Sequence, residues 1–326
     1  MMKSLMTSVA TLALIGAVAG AAAPAQAAGC KVGIAMYTLS APYFAAQLDA
    51  ASKKAKELGC EVMTSDGQND MLKQISDIED MVSKGINVLI LNPRDPKGLI
   101  PAANAASKAG VKVVAMDSTL DPSADFITEV QSSNQQNGEL VGEWLAKKMA
   151  GKPMKIALVS GQQGNLAGLE RRQGVFRGIT EQQLRQGNTI DLEVVGQGWG
   201  NWAQEDGQKA MEDLLTAHKD INVVLGENDS MVLGARLALQ AAGRLDQVLL
   251  VAAADGQKEA LKMIKDGQYG ATGLNNPATV ADTAVDIGVK ALNGKLDPKF
   301  PKAYYTTPAA IDQSNVDKYY KADAVF

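Results

Sequence analysis

The sequence predicts an α/β protein built as two doubly wound parallel-sheet lobes joined in the middle. Three observations carry that expectation. Short, fully apolar runs alternate with amphipathic stretches along the chain, the pattern of β–α steps whose strands are covered on both faces. The rhythm runs for four steps, breaks, and restarts in a second half that repeats the first in architecture and not in sequence. Finally, the 326 residues, less a leader, leave roughly 300, too many for one ordinary core and suited to two of about 150.

The leader is read first. After Lys3 no charged residue occurs from Ser4 to Ala28; Leu5, Leu12, Leu14, Ile15 and Val18 form an apolar stretch, and Ala25-Gln26-Ala27 is a small-x-small cleavage site. That order predicts a secretory signal peptide over residues 1–27, removed after Ala27. The stretch is shorter than the ~20 apolar residues of a spanning helix. A lipoprotein signal ahead of Cys30 is the weaker alternative, because Ala27 stands where Leu is usual. No later segment is long and apolar enough to span a bilayer, so a soluble, exported chain is expected. Apolar content of 46% with 21% charged residues is ordinary globular composition. A net charge of −4 without a dense basic block argues against nucleic acid as a partner.

Lys31–Tyr37 reads as the first strand. A helix over Tyr43–Leu58 follows, with Phe44, Leu48, Ala51, Ala55 and Leu58 on one stripe and Gly59 as its stop. Glu61–Ser65 is a strand, Met71–Lys84 a helix, Val88–Leu91 a strand, Leu99–Ala109 a helix and Val111–Met116 the fourth strand. After the break, Asn137–Ala150 reads as a helix. Strands Lys155–Val159, Asp191–Val195, Val223–Leu225, Val248–Ala253 and Tyr269–Gly273 then alternate with helices Leu169–Gln183, Ala203–Thr216, Met231–Ala242 and Gln257–Lys265. Ala278–Leu292 is one more helix, and the tail from Pro298 reads as irregular with a short closing helix near Asn315–Tyr320.

Cys30 and Cys60 each stand just before an apolar run. If those runs are neighbouring parallel strands, ~4.8 Å apart, the thiols lie at one end of the sheet and can pair in an oxidising compartment; the alternative is two unpaired buried thiols. The pair is expected, and its loop of about 30 residues would add about 2–4 kcal/mol. There is no Cys-x-x-Cys, which argues against a thiol redox enzyme.

Ligands of a doubly wound sheet bind beyond the carboxyl ends of its strands. The residues in those places include Tyr37, Ser40, Tyr43, Phe44, Asp66, Gln68, Asn69, Asn92 and Asp117 in the first half, and Gln162, Gln163, Asn165, Trp199, Trp202, Asn228, Asp229, Asp255, Asn275 and Asn276 in the second. Of these, Tyr37, Tyr43, Phe44, Asn92, Asp117, Trp202, Asn228, Asp255 and Asn275 are the candidate ligand contacts. Aromatics make up 5% of the chain and yet gather here. A sugar presents apolar C–H faces and a rim of hydroxyls; flat rings cover the faces, Asp accepts from hydroxyls, and Asn both donates and accepts. Bonds to a carboxylate contribute ~1.5–3 kcal/mol each, so a handful of them with two stacked rings can reach the ~8 kcal/mol of a micromolar binder. Each residue singly also has an ordinary structural use. Asn and Asp cap helices that follow strands, and Asp229 reads as a helix-start residue.

Tyr37-Thr38-Leu39-Ser40-Ala41-Pro42-Tyr43-Phe44, Ile90-Leu91-Asn92-Pro93, Asp117, Leu214–Asp220, Glu227–Ala235 and Asp255-Gly256 together resemble the ribose-type periplasmic sugar-binding proteins of ABC transporters, of the type I periplasmic-binding-protein fold. The resemblance runs from about Lys31 to past Pro301. It implies two doubly wound parallel-sheet lobes joined by a three-stranded hinge, crossing near Gln131–Ser133, Leu274–Asn276 and Tyr304–Thr306, hence one lobe of residues 28–131 with 276–304 and another of 132–275 with 305–326. It implies that Tyr43 and Phe44, Asn92, Asp117, Trp202, Asn228, Asp255 and Asn275 line the pocket, with Trp202 opposing Tyr43 or Phe44 across the sugar ring. It further implies a monomer in the periplasm, a small neutral sugar or polyol as ligand, and an ABC transporter membrane permease as partner. The sequence departs from the family's ribose binders at Ser118 and around Leu169-Glu170, where they carry Arg; Arg171 and Arg172 lie just beyond, and which of them reaches the ligand stays open. Tyr37 and Ala41 also replace the family's small hydroxyl residue and Asn.

The rival readings are weaker. Gly196-Gln197-Gly198-Trp199-Gly200 lacks dinucleotide-loop spacing, and no Gly-x-Ser-x-Gly elbow or Gly-Lys-Ser/Thr loop is present. Asp117 and Asp255 are the carboxylate pair of another rival, a secreted carbohydrate-active enzyme. One His with two Cys gives too few ligands for a zinc site, and His218 reads as a helix-terminal residue. No catalysis, cofactor or metal is expected. A sugar-responsive transcription regulator would carry a helix-turn-helix where this chain carries its leader. A sensory ligand-binding protein that engages a chemoreceptor or kinase is the alternative that uses the same fold.

Overall fold

A computed structural model describes residues 29–187 and 189–326; the expected signal peptide, 1–27, lies outside them. Elements are numbered in chain order. The first sheet holds β1 (Lys31–Met36), β2 (Glu61–Asp66), β3 (Val88–Asn92), β4 (Lys112–Met116), β5 (Glu129–Ser132) and β11 (Ala303–Thr306), in the order β11-β5-β4-β3-β1-β2 and parallel throughout. The second holds β6 (Lys155–Ser160), β7 (Glu193–Trp199), β8 (Val223–Gly226), β9 (Leu249–Asp255), β10 (Ala271–Leu274) and β12 (Ala310–Asp312), in the order β12-β10-β9-β8-β6-β7, with only β12 antiparallel to its neighbour. Helices α1 (Pro42–Glu57), α2 (Met71–Ser83), α3 (Ile100–Lys108) and α9 (Pro277–Leu292) cover the first sheet. Helices α4 (Asn134–Lys148), α5 (Leu166–Arg185), α6 (Gln204–Ala217), α7 (Asp229–Ala241) and α8 (Lys258–Lys265) cover the second.

Two-sided burial explains the continuous apolar strands. In the first sheet Val32, Ile34, Val88 and Ile90 pack against Ala51 of α1 and Val280 and Ala284 of α9. The alternate residues Leu89, Leu91 and Val113 pack on the opposite face against Ile78 of α2 and Ala102 of α3. At the near end of β1 and β2, Cys30 and Cys60 form a disulfide with Cα atoms 4.5 Å apart.

The chain leaves the first sheet after Ser132, returns after Leu274, and leaves again between Thr306 and Ala310. The third crossing therefore falls beyond Tyr304–Thr306, which is instead the edge strand β11. Strands β5, β11 and β12 are absent from the sequence reading. Glu129, Gln131 and Ser132 of β5 and Tyr304, Tyr305 and Thr306 of β11 break the apolar signal, because edge and hinge strands carry polar side chains. Strand β7 continues to Trp199, four residues past its expected end at Val195, since Gly196, Gln197 and Gly198 hide its period.

In the second lobe, helices meet backbone to backbone. A Cβ on Gly138 or Gly142 of α4 would stand 2.4 or 2.1 Å from the carbonyls of Arg171 or Val175 in α5. One on Gly174 or Gly178 of α5 would stand 2.2 or 2.0 Å from carbonyls of α4. Any side chain there would force the helices apart and move the start of α5, which carries Arg171.

Candidate functional site

The carboxyl ends of β1, β3, β4, β6, β8, β9 and β10 converge on a cavity of about 400 Å³ between the sheets, within the range of small-molecule pockets. Tyr37, Tyr43, Phe44 and Asp117 reach it from the first lobe, and Trp202, Asn228, Asp255 and Asn275 from the second side. Asn92 does not line it. Its side chain is fully buried at the end of β3, donates to Gln47 Oε1 at 3.0 Å, and stands behind Asp117 as an amide neighbour.

The rings are set by packing. Phe44 makes edge contacts with Tyr37 at 5.0 Å and Tyr43 at 5.6 Å between centroids, and Phe326 meets the far side of Tyr43 at 5.5 Å. On the second lobe Trp202 lies over Gly161, where a Cβ would come within 2.2 Å of its ring. The Arg171 guanidinium sits 5.5 Å from the Trp202 centroid, a cation–π distance.

Two cavity residues hold left-handed backbone, Asp117 at φ 67° and Trp202 at φ 66°. Non-glycine residues there cost on the order of 1–3 kcal/mol each and persist where the surroundings over-determine them. In both cases the residue with the strained conformation lines the cavity.

The second lobe carries a buried charge network that sequence reading did not assemble. Arg171 is 7% exposed; its Nη2 lies 3.2 Å from Asp255 Oδ1, Nε donates to Asn134 Oδ1 at 2.9 Å, and Nη1 donates to the Glu227 carbonyl at 3.0 Å. Of the two candidate arginines, Arg171 lines the cavity while Arg172 turns away to pair with the Glu227 carboxylate. Glu227 Oε2 in turn accepts from the Gly161 amide at 2.8 Å, fixing the loop under Trp202. Asp229, read as a helix-start residue, has a larger part: its Oδ2 accepts from the amides of Asp255, Gly256 and Gln257 at 3.1, 2.8 and 2.8 Å, and Oδ1 from the Tyr269 hydroxyl at 2.8 Å. It is the clamp that holds the Asp255 loop. Asn228 is the cap of α7, accepting from the Met231 amide at 3.0 Å and donating to the Trp202 carbonyl at 3.2 Å. Its polar atoms serve the fold and fasten Trp202, while its edge faces the cavity.

Tyr43 ties the two sides. Its hydroxyl lies 2.7 Å from Asp117 Oδ1 and 2.9 Å from Asn275 Oδ1, and Asn275 Nδ2 donates to Asp255 Oδ1 at 3.0 Å. Burial raises the pKa of Asp117 and of Asp255, with Tyr43 and Arg171 respectively opposing it. Burial, then the Asp255 charge, pushes Asp229 up to about 6. The Tyr37 hydroxyl is raised by burial and by the Asp117 charge, so it faces the cavity as a neutral donor. The cavity is lined by aromatic rings from both lobes and by the carboxyls of Asp117 and Asp255, which suits a compact ligand with apolar faces and donating hydroxyls.

A family model described as a periplasmic binding protein domain matches residues 32–296. The ribose import binding protein of Salmonella typhimurium is 30% identical over 301 residues, 92% of this chain and 96% of that protein. Among solved structures, a periplasmic solute-binding protein of an ABC transporter from Actinobacillus succinogenes, with bound D-allose, superposes with a TM-score of 0.80 at 26% identity, covering 89% of this chain and all of that one. A solute-binding protein from Mycobacterium smegmatis with bound glycerol gives 0.78 at 32% identity, covering 91% and 98%.

Proposed function

The chain belongs to the periplasmic binding protein domain family, and from that premise we propose that it captures a small neutral sugar or polyol between its lobes and delivers it to an ABC transporter permease. The observation that carries the reading is that Phe44 from the first lobe and Trp202 from the second line one cavity together with Asp117 and Asp255. Rings cover the C–H faces, and the free carboxyl oxygens take ligand hydroxyls. Contacts from both walls favour the closed form over the open one, which is how binding reaches the outer surface that a permease reads. The reading includes export to the periplasm as a monomer and rigid lobes that hinge at the three crossings.

A thermal-shift screen of the chain from Ala28 tests it, with pentoses, hexoses, deoxysugars and polyols against amino acids and nucleosides. Ligand at 100 times its dissociation constant adds about 2.7 kcal/mol, a shift of a few degrees. A shift with a sugar or polyol is expected. A shift with the controls alone, or with no compound, contradicts the ligand class.

A further inference from the structure

The chain of contacts Asp117–Tyr43–Asn275–Asp255 has one proton fewer than it has links. The links are Asp117 Oδ1 to Tyr43 Oη at 2.7 Å, Tyr43 Oη to Asn275 Oδ1 at 2.9 Å, and Asn275 Nδ2 to Asp255 Oδ1 at 3.0 Å. Each link needs a proton. Tyr43 supplies one, the Asn275 amide supplies one because it donates at one end and accepts at the other, and ionised carboxylates supply none. Turning the amide over moves the gap without closing it: Asn275 then donates to Tyr43, and its oxygen faces Asp255. The missing proton belongs on an end carboxyl. Asp255 is held as an anion by Arg171, 3.2 Å from the same oxygen; Asp117 feels Arg171 only as a secondary charge, after Tyr43.

We propose that Asp117 is a neutral carboxylic acid in this arrangement, and that joining the lobes through Tyr43 and Asn275 takes up one proton. Apart, the halves need no extra proton. Tyr43 donates to the Asp117 carboxylate within the first lobe, and Asn275, whose backbone amide also donates to the Asp255 carbonyl at 2.8 Å, donates to Asp255 on the second. Only the Tyr43–Asn275 link creates the third demand.

The groups that face Asp117 come from every side: Tyr37 after β1, Tyr43 of α1, Asn92 of β3, Arg94 beyond it, Arg171 of α5 and Asp255 of β9. Burial and the Asp255 charge favour the neutral acid; Tyr43, Arg171 and the Asn92 amide favour the anion, and burial is the largest influence. With Asp117 neutral, the charges of Arg171 and Asp255 offset each other beside it. Asp117 then has its raised pKa in the joined state and an ordinary one in the parted state. Joining is therefore pH-independent below the ordinary value, weakens up to tenfold per unit as pH rises between the two, and levels off above.

The proton count concerns the protein alone and stands whatever the ligand is. Carbon NMR titration of the ligand-free chain from Ala28, labelled at its aspartate carboxyls and with Asp117 assigned through Asp117→Asn, reads it directly. Asn275→Ala removes the acceptor of the Tyr43 proton, so Tyr43 turns wholly to Asp117. The Asp117 midpoint is expected above the ordinary carboxylate range in the wild type and lower by about one unit or more in the variant, a tenfold change in its protonation. Asn275→Leu, which keeps the volume, repeats the test if the alanine variant does not fold. An Asp117 midpoint in the ordinary range with the Tyr43–Asn275 contact formed, a midpoint that Asn275→Ala and Asn275→Leu leave unmoved or raise, or a chain in which that contact never forms overturns the proposal.

Discussion

The first lobe brings three packed rings and Asp117 to the cleft, and the second brings Trp202 and an interlocked network of fixed charge. On the first side Tyr37, Tyr43 and Phe44 wedge edge to face, and only the Tyr43 hydroxyl adds hydrogen bonds, to Asp117 and Asn275. On the second, Arg171, Asp255, Asp229, Glu227 and Arg172 interlock through hydrogen bonds and ion pairs. The scaffolds differ to match. Rings tolerate small shifts in their support, so α1 and α9 pack through side chains. Buried ions lose their compensation when displaced by about an ångström, so α4 and α5 lock through glycines with no room for a Cβ.

That contrast predicts the largest stability loss in the second lobe. Arg171→Ala leaves the buried Asp255 unpaired and should lower unfolding free energy by about 3–5 kcal/mol, read from urea denaturation. A loss below 1 kcal/mol would show that the network is dispensable.

Asp229 gives the next effect. Its folded pKa of about 6 lies above the ordinary ~3.9 of a free Asp, so its neutral form is the favoured one in the fold. Its contribution is fully present below about pH 4 and is lost as pH rises through about 6, a span of roughly 3 kcal/mol. Asp229→Asn should flatten the stability profile across that window; an unchanged slope would assign the pH dependence elsewhere.

Gly142→Val tests the helix lock. The added Cβ meets the Val175 carbonyl at 2.1 Å, and overpacking of this kind costs typically 1–3 kcal/mol, measurable as a lower melting temperature. The smallest stability effects belong to the rings. Phe44→Ala or Trp202→Ala should leave folding cooperative and weaken affinity about ten- to a hundredfold, the worth of burying one aromatic face. Wild-type affinity in the Trp202 variant would remove it from the pocket.

The asymmetry also explains what could be read in the sequence. Strands such as Val88–Asn92 announce themselves because both faces are buried, and position after a strand was enough to find Asp117, Trp202 and Asp255. Tertiary partners were not legible. Asn92 looks like a ligand contact by position, yet it bonds Gln47 behind the cavity, and Asn228, which does line the cavity, also caps α7. Arg171 lies five residues into α5, past any strand-end rule, and reaches the cavity only because the glycine-lined contact of α4 with α5 brings it there. The Gly138/Gly142 and Gly174/Gly178 spacing was the available signal for that contact.

Native mass spectrometry tests the central claim most directly. The chain from Ala28 is mixed with an equimolar panel of pentoses, hexoses and polyols, with amino acids and nucleosides included, and compared with the Phe44→Ala/Trp202→Ala double variant. The account predicts a single neutral sugar or polyol adduct on the wild type that is lost in the folded double variant. An adduct that persists in the double variant, or one formed only with a control compound, would contradict it.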